Sequence, residues 1–287
     1  MFPLELFEAT VECLAAQGTM DDLHQCALVN KQLTQLCQKQ IFHTVKLVQK
    51  EAGWIPPEER VGLPPHPIER FAKVVQQKLA IGDYVRVLEI ESMLNYSVDD
   101  GFTVLGHLHQ VHTFTLAFAD GPRHAEHARP WGTISPGLRK NYSEWTCRNN
   151  ILSRLPSSSL KTLRSITLML DTWETPEFPV YGKFAHELAL IQGENVLEEL
   201  DLFLVVQIDC DLNLDPVQWQ ELDHLLSMGF PYLRKLAIRV EMTIFNIPSP
   251  LEYAADRQMQ LEKILTECFD WSKEHLEFTK SANCWVI

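Results

Sequence analysis

Leu197-Glu198-Glu199-Leu200-Asp201-Leu202 places apolar residues at its first, fourth and sixth positions and ends in the alternation of a half-buried strand. The same spacing recurs as Phe42/Val45/Leu47, Val85/Leu88/Ile90, Val111/Phe114/Leu116, Leu163/Ile166/Leu168 and Leu233/Leu236/Ile238. From Val45 through Leu88, Phe114, Ile166 and Leu200 to Leu236, the middle residues lie 43, 26, 52, 34 and 36 positions apart. Between the copies, apolar residues three or four apart predict helices over 68–79, 184–191, 216–227 and 254–271. Strand followed by helix, repeated along the chain, predicts an α/β protein. Its adjacent parallel strands should fall near 85–90, 111–116, 163–168, 197–202 and 233–238, on the concave side of a curved sheet. A plain α/β domain with parallel strands would share this composition.

The chain has 287 residues, 46% of them hydrophobic, so it can bury one large core or two modest ones. A formal net charge of -13 speaks against nucleic acid as a partner, because binding to a phosphate backbone draws on clustered Lys and Arg. Seven cysteines lie scattered with no CxxC pair, which fits neither a disulfide framework nor a zinc module. Reduced thiols are expected, and with them a cytoplasmic or nuclear location. Glu5 and Glu8 stand where a secretory signal needs basic residues, and no apolar run approaches ~18 residues.

At the N-terminus, Pro3 suits a first helical turn, and Phe7, Val11 and Leu14 share one helix face that Gly18 can end. A helix over 3–15 is predicted. Asp21 or Asp22 can cap a second helical stretch, in which Leu23, Ala27 and Asn30 lead to Leu33, Leu36 and Cys37. Two or three short helices should therefore pack within the first 47 residues.

These residues resemble the F-box family. Phe2-Pro3-Leu4-Glu5-Leu6-Phe7 stands for its LPxELL opening, Cys26-Ala27-Leu28-Val29-Asn30-Lys31 for its C-x-L-V-x-K stretch, and Ile41-Phe42-His43-Thr44-Val45-Lys46-Leu47 for the LFxTVxL closing of divergent fungal members. Leu33 stands where the family usually has tryptophan, and Thr10 where it has isoleucine. The resemblance implies docking of a Skp-type adaptor, and through it membership of a cullin-RING ubiquitin ligase as the substrate-choosing subunit. By match to the motif, the docking positions are Pro3, Leu6, Val29 and Leu33.

The body resembles the degenerate leucine-rich repeats that follow the F-box in many family members. One of its steps fits the roughly 20–29 residues of a repeat, and the others carry extra helix or loop. Asparagine is absent three residues after each last apolar position, where Met93, Ala119, Asp171, Val205 and Glu241 stand. The expected organisation is an F-box-like helical unit at 1–47, a Pro-rich linker or loop at 48–67, and an irregular leucine-rich-repeat-like solenoid of parallel strands and helices at 68–287. Such a chain is an adaptor rather than an enzyme and needs no cofactor. A repeat adaptor outside the ubiquitin system is the alternative, and an enzyme with a spatially assembled carboxylate pair the third reading.

Other constellations carry less. Asp209-x-Asp211-x-Asn213-x-Asp215 imitates a calcium loop but has Leu214 where glycine must turn the chain and Gln220 where a bidentate carboxylate is needed. His107, His109 and His112, followed by His124 and His127, lack Cys or carboxylate partners at a zinc spacing, so no metal is expected. The interval between Leu116 and Leu163 holds Arg129, Trp131, Arg139, Tyr142 and Trp145, residue types in which binding energy concentrates. It is a candidate partner-binding insert, or a loop folded back on its own aromatics. Cys284-Trp285-Val286-Ile287 has the C-a-a-X form of a prenylation signal with no polybasic stretch before it, so membrane contact is expected only if Cys284 is lipidated.

Overall fold

The structure is a computed structural model that describes residues 4–48, 65–93, 99–119, 151–173, 181–193, 195–208, 216–244 and 250–286. Three helices open the chain: α1 (Leu4–Gln17), α2 (Met20–Ala27) and α3 (Lys31–Ile41). The cap of α2 is Thr19 rather than Asp21 or Asp22. Its hydroxyl accepts from Asp22 N at 3.3 Å while Asp22 Oδ2 accepts from Thr19 N at 2.7 Å, a reciprocal box that satisfies two donors at once. Asn30 does not continue α2. Its Oδ1 accepts from Leu33 N at 2.9 Å and starts α3.

The strands β1 (Thr44–Val48), β2 (Val87–Met93), β3 (Thr113–Ala119), β4 (Ser165–Trp173), β5 (Glu199–Ile208), β6 (Lys235–Ile244) and β7 (Glu277–Val286) form one sheet in sequence order. Every neighbouring pair is parallel. The middle residues of the six sequence copies stand in a single row: Val45, Leu88, Phe114, Ile166, Leu200 and Leu236 are register partners, continued by Phe278. The five expected segments are thus adjacent parallel strands.

β7 escaped the pattern because Lys280 occupies the register position held by Ile238 and Leu202 in the preceding strands. Its ammonium instead donates to Thr266 Oγ1.

Between the strands lie α4 (Pro67–Gln77), two short helices at Asp99–Phe102 (α5) and Ser157–Leu160 (α6), and then α7 (Tyr181–Ala189), α8 (Pro216–Gly229), α9 (Pro250–Glu267) and α10 (Asp270–His275). Parallel crossovers take one hand, and the strand order never reverses, so the connections belong on one face of the sheet. Burial agrees with that. Leu88 and Ile90, Phe114 and Leu116, Ile166 and Leu168, and Leu236, Ile238 and Val240 are buried, while the residues alternating with them on β6, from Lys235 to Thr243, are half-buried or exposed. The sheet has one covered face and one open face.

The single helix expected over 254–271 is two. The break falls at Cys268 and Phe269, and the buried carboxylate of Asp223 in α8 supplies the start of α10: it accepts from Trp271 N at 3.0 Å and from Ser272 N at 3.1 Å.

Polar side chains tie together the turns that precede the strands. Ser159 Oγ donates to Leu108 O and Thr162 Oγ1 to Val111 O (2.9 Å), tying the turn before β4 to the turn before β3. Buried Asn195 donates to Ile191 O at 2.9 Å and Gly229 O at 3.1 Å, and its Oδ1 accepts from Leu197 N. These side chains satisfy carbonyls that the turns would otherwise bury without partners.

The helical unit and the sheet meet earlier than expected. Val45 and Leu47 belong to the main core and Phe42, which caps α3, packs against it, so the last residues of the expected helical unit, from Thr44 on, are already the first strand of the sheet. At the other end of the expected linker, His66 is buried and its Nδ1 accepts from Ile68 N at 3.2 Å, starting α4.

Burial, with the Arg70 charge beside it, holds the His66 imidazole down at about 4. The folded state therefore binds fewer protons than the unfolded chain between pH 6.5 and 4. Stability should be fully present above pH 6.5 and fall by up to about 3 kcal/mol as the pH drops toward 4. Urea unfolding at pH 7 and pH 4.5 measures it. His66→Asn, which keeps an acceptor for Ile68 N, should flatten that part of the pH profile.

Candidate functional site

Two surfaces stand out. The first is on the helical unit, whose core is small and separate from the main one: Val11, Leu23, Leu33 and Cys37, with Phe7, Leu14, Cys26, Ala27, Leu36 and Ile41 packed around them. The Cys37 thiol is pushed up to about 11 by burial and by the Cys26 sulfur beside it, so it stays protonated at neutral pH. Large apolar side chains are left outside this core. Leu6 is 53% exposed, Leu28 79% and Val29 71%, and Leu4 and Met20 are half exposed.

Of the four motif-matched positions, then, Leu6 and Val29 lie on the surface. Leu33 does not. It is only 7% exposed, because the Asn30 cap fixes the first turn of α3 and Leu33 shares the inward face with Cys37 four residues on. Pro3 falls outside the described residues.

The second surface is the open face of the sheet. Its side chains stand in rows across the strands, so that charges of opposite sign meet directly or on the diagonal between neighbouring strands about 4.8 Å apart. Lys46 on β1 pairs with Glu89 on β2 at 2.7 Å, Lys235 on β6 with Glu199 on β5 at 3.0 Å, and Arg239 on β6 with Asp201 on β5 at 2.7 Å. The Arg239 guanidinium also covers the Phe203 ring, 5.1 Å from its centroid. Exposed ion pairs such as these contribute little to stability, about 0–1 kcal/mol each. Together with Thr115 and Thr167 in the same rows, they line the face with donors and acceptors.

At the upstream end of the strands is a further line of residues. Each of their carbonyls accepts two N–H groups from the next strand: His43 O from Arg86 N and Val87 N, Arg86 O from His112 N and Thr113 N, and His112 O from Arg164 N and Ser165 N. Burial and the charges of Arg86, Arg164 and His43 together push the His112 imidazole below its ordinary range, so these side chains are electrostatic neighbours. The sequence signal for this line is the residue after the first apolar position of each copy, which the pattern treats as variable.

The remaining candidates are placed as follows. The insert with Arg129, Trp131, Arg139, Tyr142 and Trp145, the calcium-like stretch 209–215, His124 and His127 all lie outside the described residues. His109 Nδ1 lies 3.2 Å from Ser158 Oγ, and among the described residues no group of three or more His, Cys, Asp and Glu is placed to hold a metal ion. Cys284 is not in a loose tail. It stands in β7 opposite Met242, half-buried against the main core, and burial pushes its thiol up to about 11. Attaching a lipid there would require the end of β7 to leave the sheet. Among the described residues no helix is long and apolar enough to cross a membrane. In comparison with known proteins, the chain matches no family model, no curated protein and no solved structure.

Proposed function

We propose that this protein is a substrate-recognition adaptor of a cullin-RING ubiquitin ligase, with an F-box-like helical unit that docks a Skp-type subunit and a leucine-rich-repeat-like body that binds the target. One observation carries the reading. The helical unit, which buries Val11, Leu23, Leu33 and Cys37, leaves Leu6, Leu28 and Val29 exposed, apolar side chains that a partner's groove could cover. Leu6 and Val29 are also positions assigned to docking by the F-box resemblance, and an apolar helical surface seated in a partner's groove is a common mode of recognition.

The body supports the other half. Its sheet keeps sequence order, one face is covered by helices, and the open face presents side chains in rows, as expected of a repeat array that binds protein. Affinity purification of the full chain from its source cell should recover a Skp-type subunit together with a cullin. Recovery of neither, with other proteins retained, would favour a repeat adaptor working outside the ubiquitin system.

A further inference from the structure

We infer that Cys26 and Cys37 are a redox pair: a hydroperoxide converts them to a disulfide that ties α2 to α3 and holds the turn presenting Leu28 and Val29. Nothing in the spacing of the seven cysteines singles these two out. The fold does. Cys37 is fully buried in the core of the helical unit, Cys26 is half-buried and packs against that core, and the two side chains are in hydrogen-bonding contact. When a thiol that solvent can reach is backed by a buried one, the second sulfur captures the first oxidation product, and oxidation stops at the disulfide.

The pair adjoins the exposed turn. Cys26 O accepts from Val29 N at 3.2 Å, and Thr34 Oγ1 donates to Ala27 O at 2.6 Å, so the end of α2, the turn and the first turn of α3 are bonded together beside the sulfurs. Beyond these bonds, the hairpin rests on the small core of Val11, Leu23, Leu33 and Cys37, and a unit held by so few buried contacts opens locally. A covalent link between residues 26 and 37 removes open states from that ensemble.

The chemistry needs a hydroperoxide as its one oxidant. The Cys26 sulfur takes an oxygen from hydrogen peroxide, the O–O bond breaks, and Cys26 becomes a sulfenic acid with release of water. The Cys37 sulfur then attacks the Cys26 sulfur, the S–O bond breaks, and the hydroxyl leaves with the Cys37 proton as a second water. The thiols lose an electron each and the peroxide gains both. Burial and the Cys26 sulfur push the Cys37 thiol up to about 11, so it keeps its proton in the resting protein and Cys26 is the sulfur that reacts first.

This deepens the adaptor reading by naming a regulation of its docking surface, and rests on that reading for the role of Val29. A turn already held in place has less to order on binding, so oxidation strengthens docking.

The test treats the full chain with a small excess of hydrogen peroxide, then denatures it, blocks remaining thiols with N-ethylmaleimide and cleaves after Lys31, which puts Cys26 and Cys37 on separate peptides. Mass spectrometry should find those peptides joined. The join should vanish with dithiothreitol and in Cys26→Ser, and persist in Cys13→Ser, which removes the other cysteine of the first peptide. In the oxidised chain, hydrogen exchange over 28–34 should slow at least about threefold, with β4 to β6 unchanged. Purified Skp-type adaptor should bind the oxidised chain at least about threefold more tightly than the reduced one.

Recovery of both cysteines as N-ethylmaleimide adducts, a join that follows Cys13 instead, or unchanged exchange over 28–34 would overturn the pair. Equal adaptor affinity of the two forms would overturn its regulatory role. An intact join with slowed exchange, but no adaptor binding in either state, would instead fault the ligase reading, so the two failures are distinguishable.

Discussion

Phe114→Ala is expected to lower the unfolding free energy by about 3–5 kcal/mol, the range for emptying a buried aromatic site. Phe114 is fully buried in β3, in register between Leu88 and Ile166, in the middle of the row that runs through all seven strands. Parallel strands tied by backbone bonds on both sides cannot close much of the space its ring would leave. Thr115→Ala, one residue on and facing the open side, should change stability by no more than about 0.5 kcal/mol. Chemical denaturation of the two variants side by side measures the asymmetry between the faces. Equal effects would mean that the covered and open faces have been assigned wrongly.

Asp223→Ala should cost about 3 kcal/mol or more, because it leaves several buried donors without an acceptor. The carboxylate is 7% exposed and accepts from Trp271 N, from Ser272 N and from the Ser272 hydroxyl at 2.5 Å. These bonds join α8 to the start of α10, which in turn leads directly into β7. Asp223→Asn keeps one acceptor and should fall between wild type and alanine. Hydrogen exchange should show the loss concentrated in α10 and β7, with β1 to β4 protected as before. Uniform loss across the sheet would contradict this local account.

Most of the sheet was legible in the sequence because β1 to β6 each come with the same three apolar positions, which a parallel strand covered on one face needs, whereas β7 has Lys280 at one of them. The register row from Val45 to Leu236 follows from that alone. What was hidden is what side chains do one at a time. Asp223 reads as one acid on an amphipathic helix, and nothing in its neighbours announces that it starts a helix 47 residues later. The cap of α2 is Thr19 and not one of the aspartates after it, because the reciprocal bond with Asp22 appears only in three dimensions. Leu33 matched a docking motif yet points inward, since small helical units use the same residue types for core and for contact. The basic line at the strand starts was invisible to a pattern that follows apolar positions, because its members are the residues between them.

The most direct test of the adaptor reading is the binding of purified Skp-type adaptor to the full chain and to Leu6→Asp/Val29→Asp, by calorimetry. Both side chains are exposed, so the double variant should melt within a few degrees of wild type, because surface substitutions change stability by only about 0.5 kcal/mol each. Wild type should bind, and the double variant should lose at least about 2 kcal/mol of affinity, a thirtyfold or greater weakening, as charges replace apolar anchors. A well-folded wild-type chain that shows no heat of binding at tens of micromolar adaptor, or a double variant that binds as wild type does, would contradict the proposal.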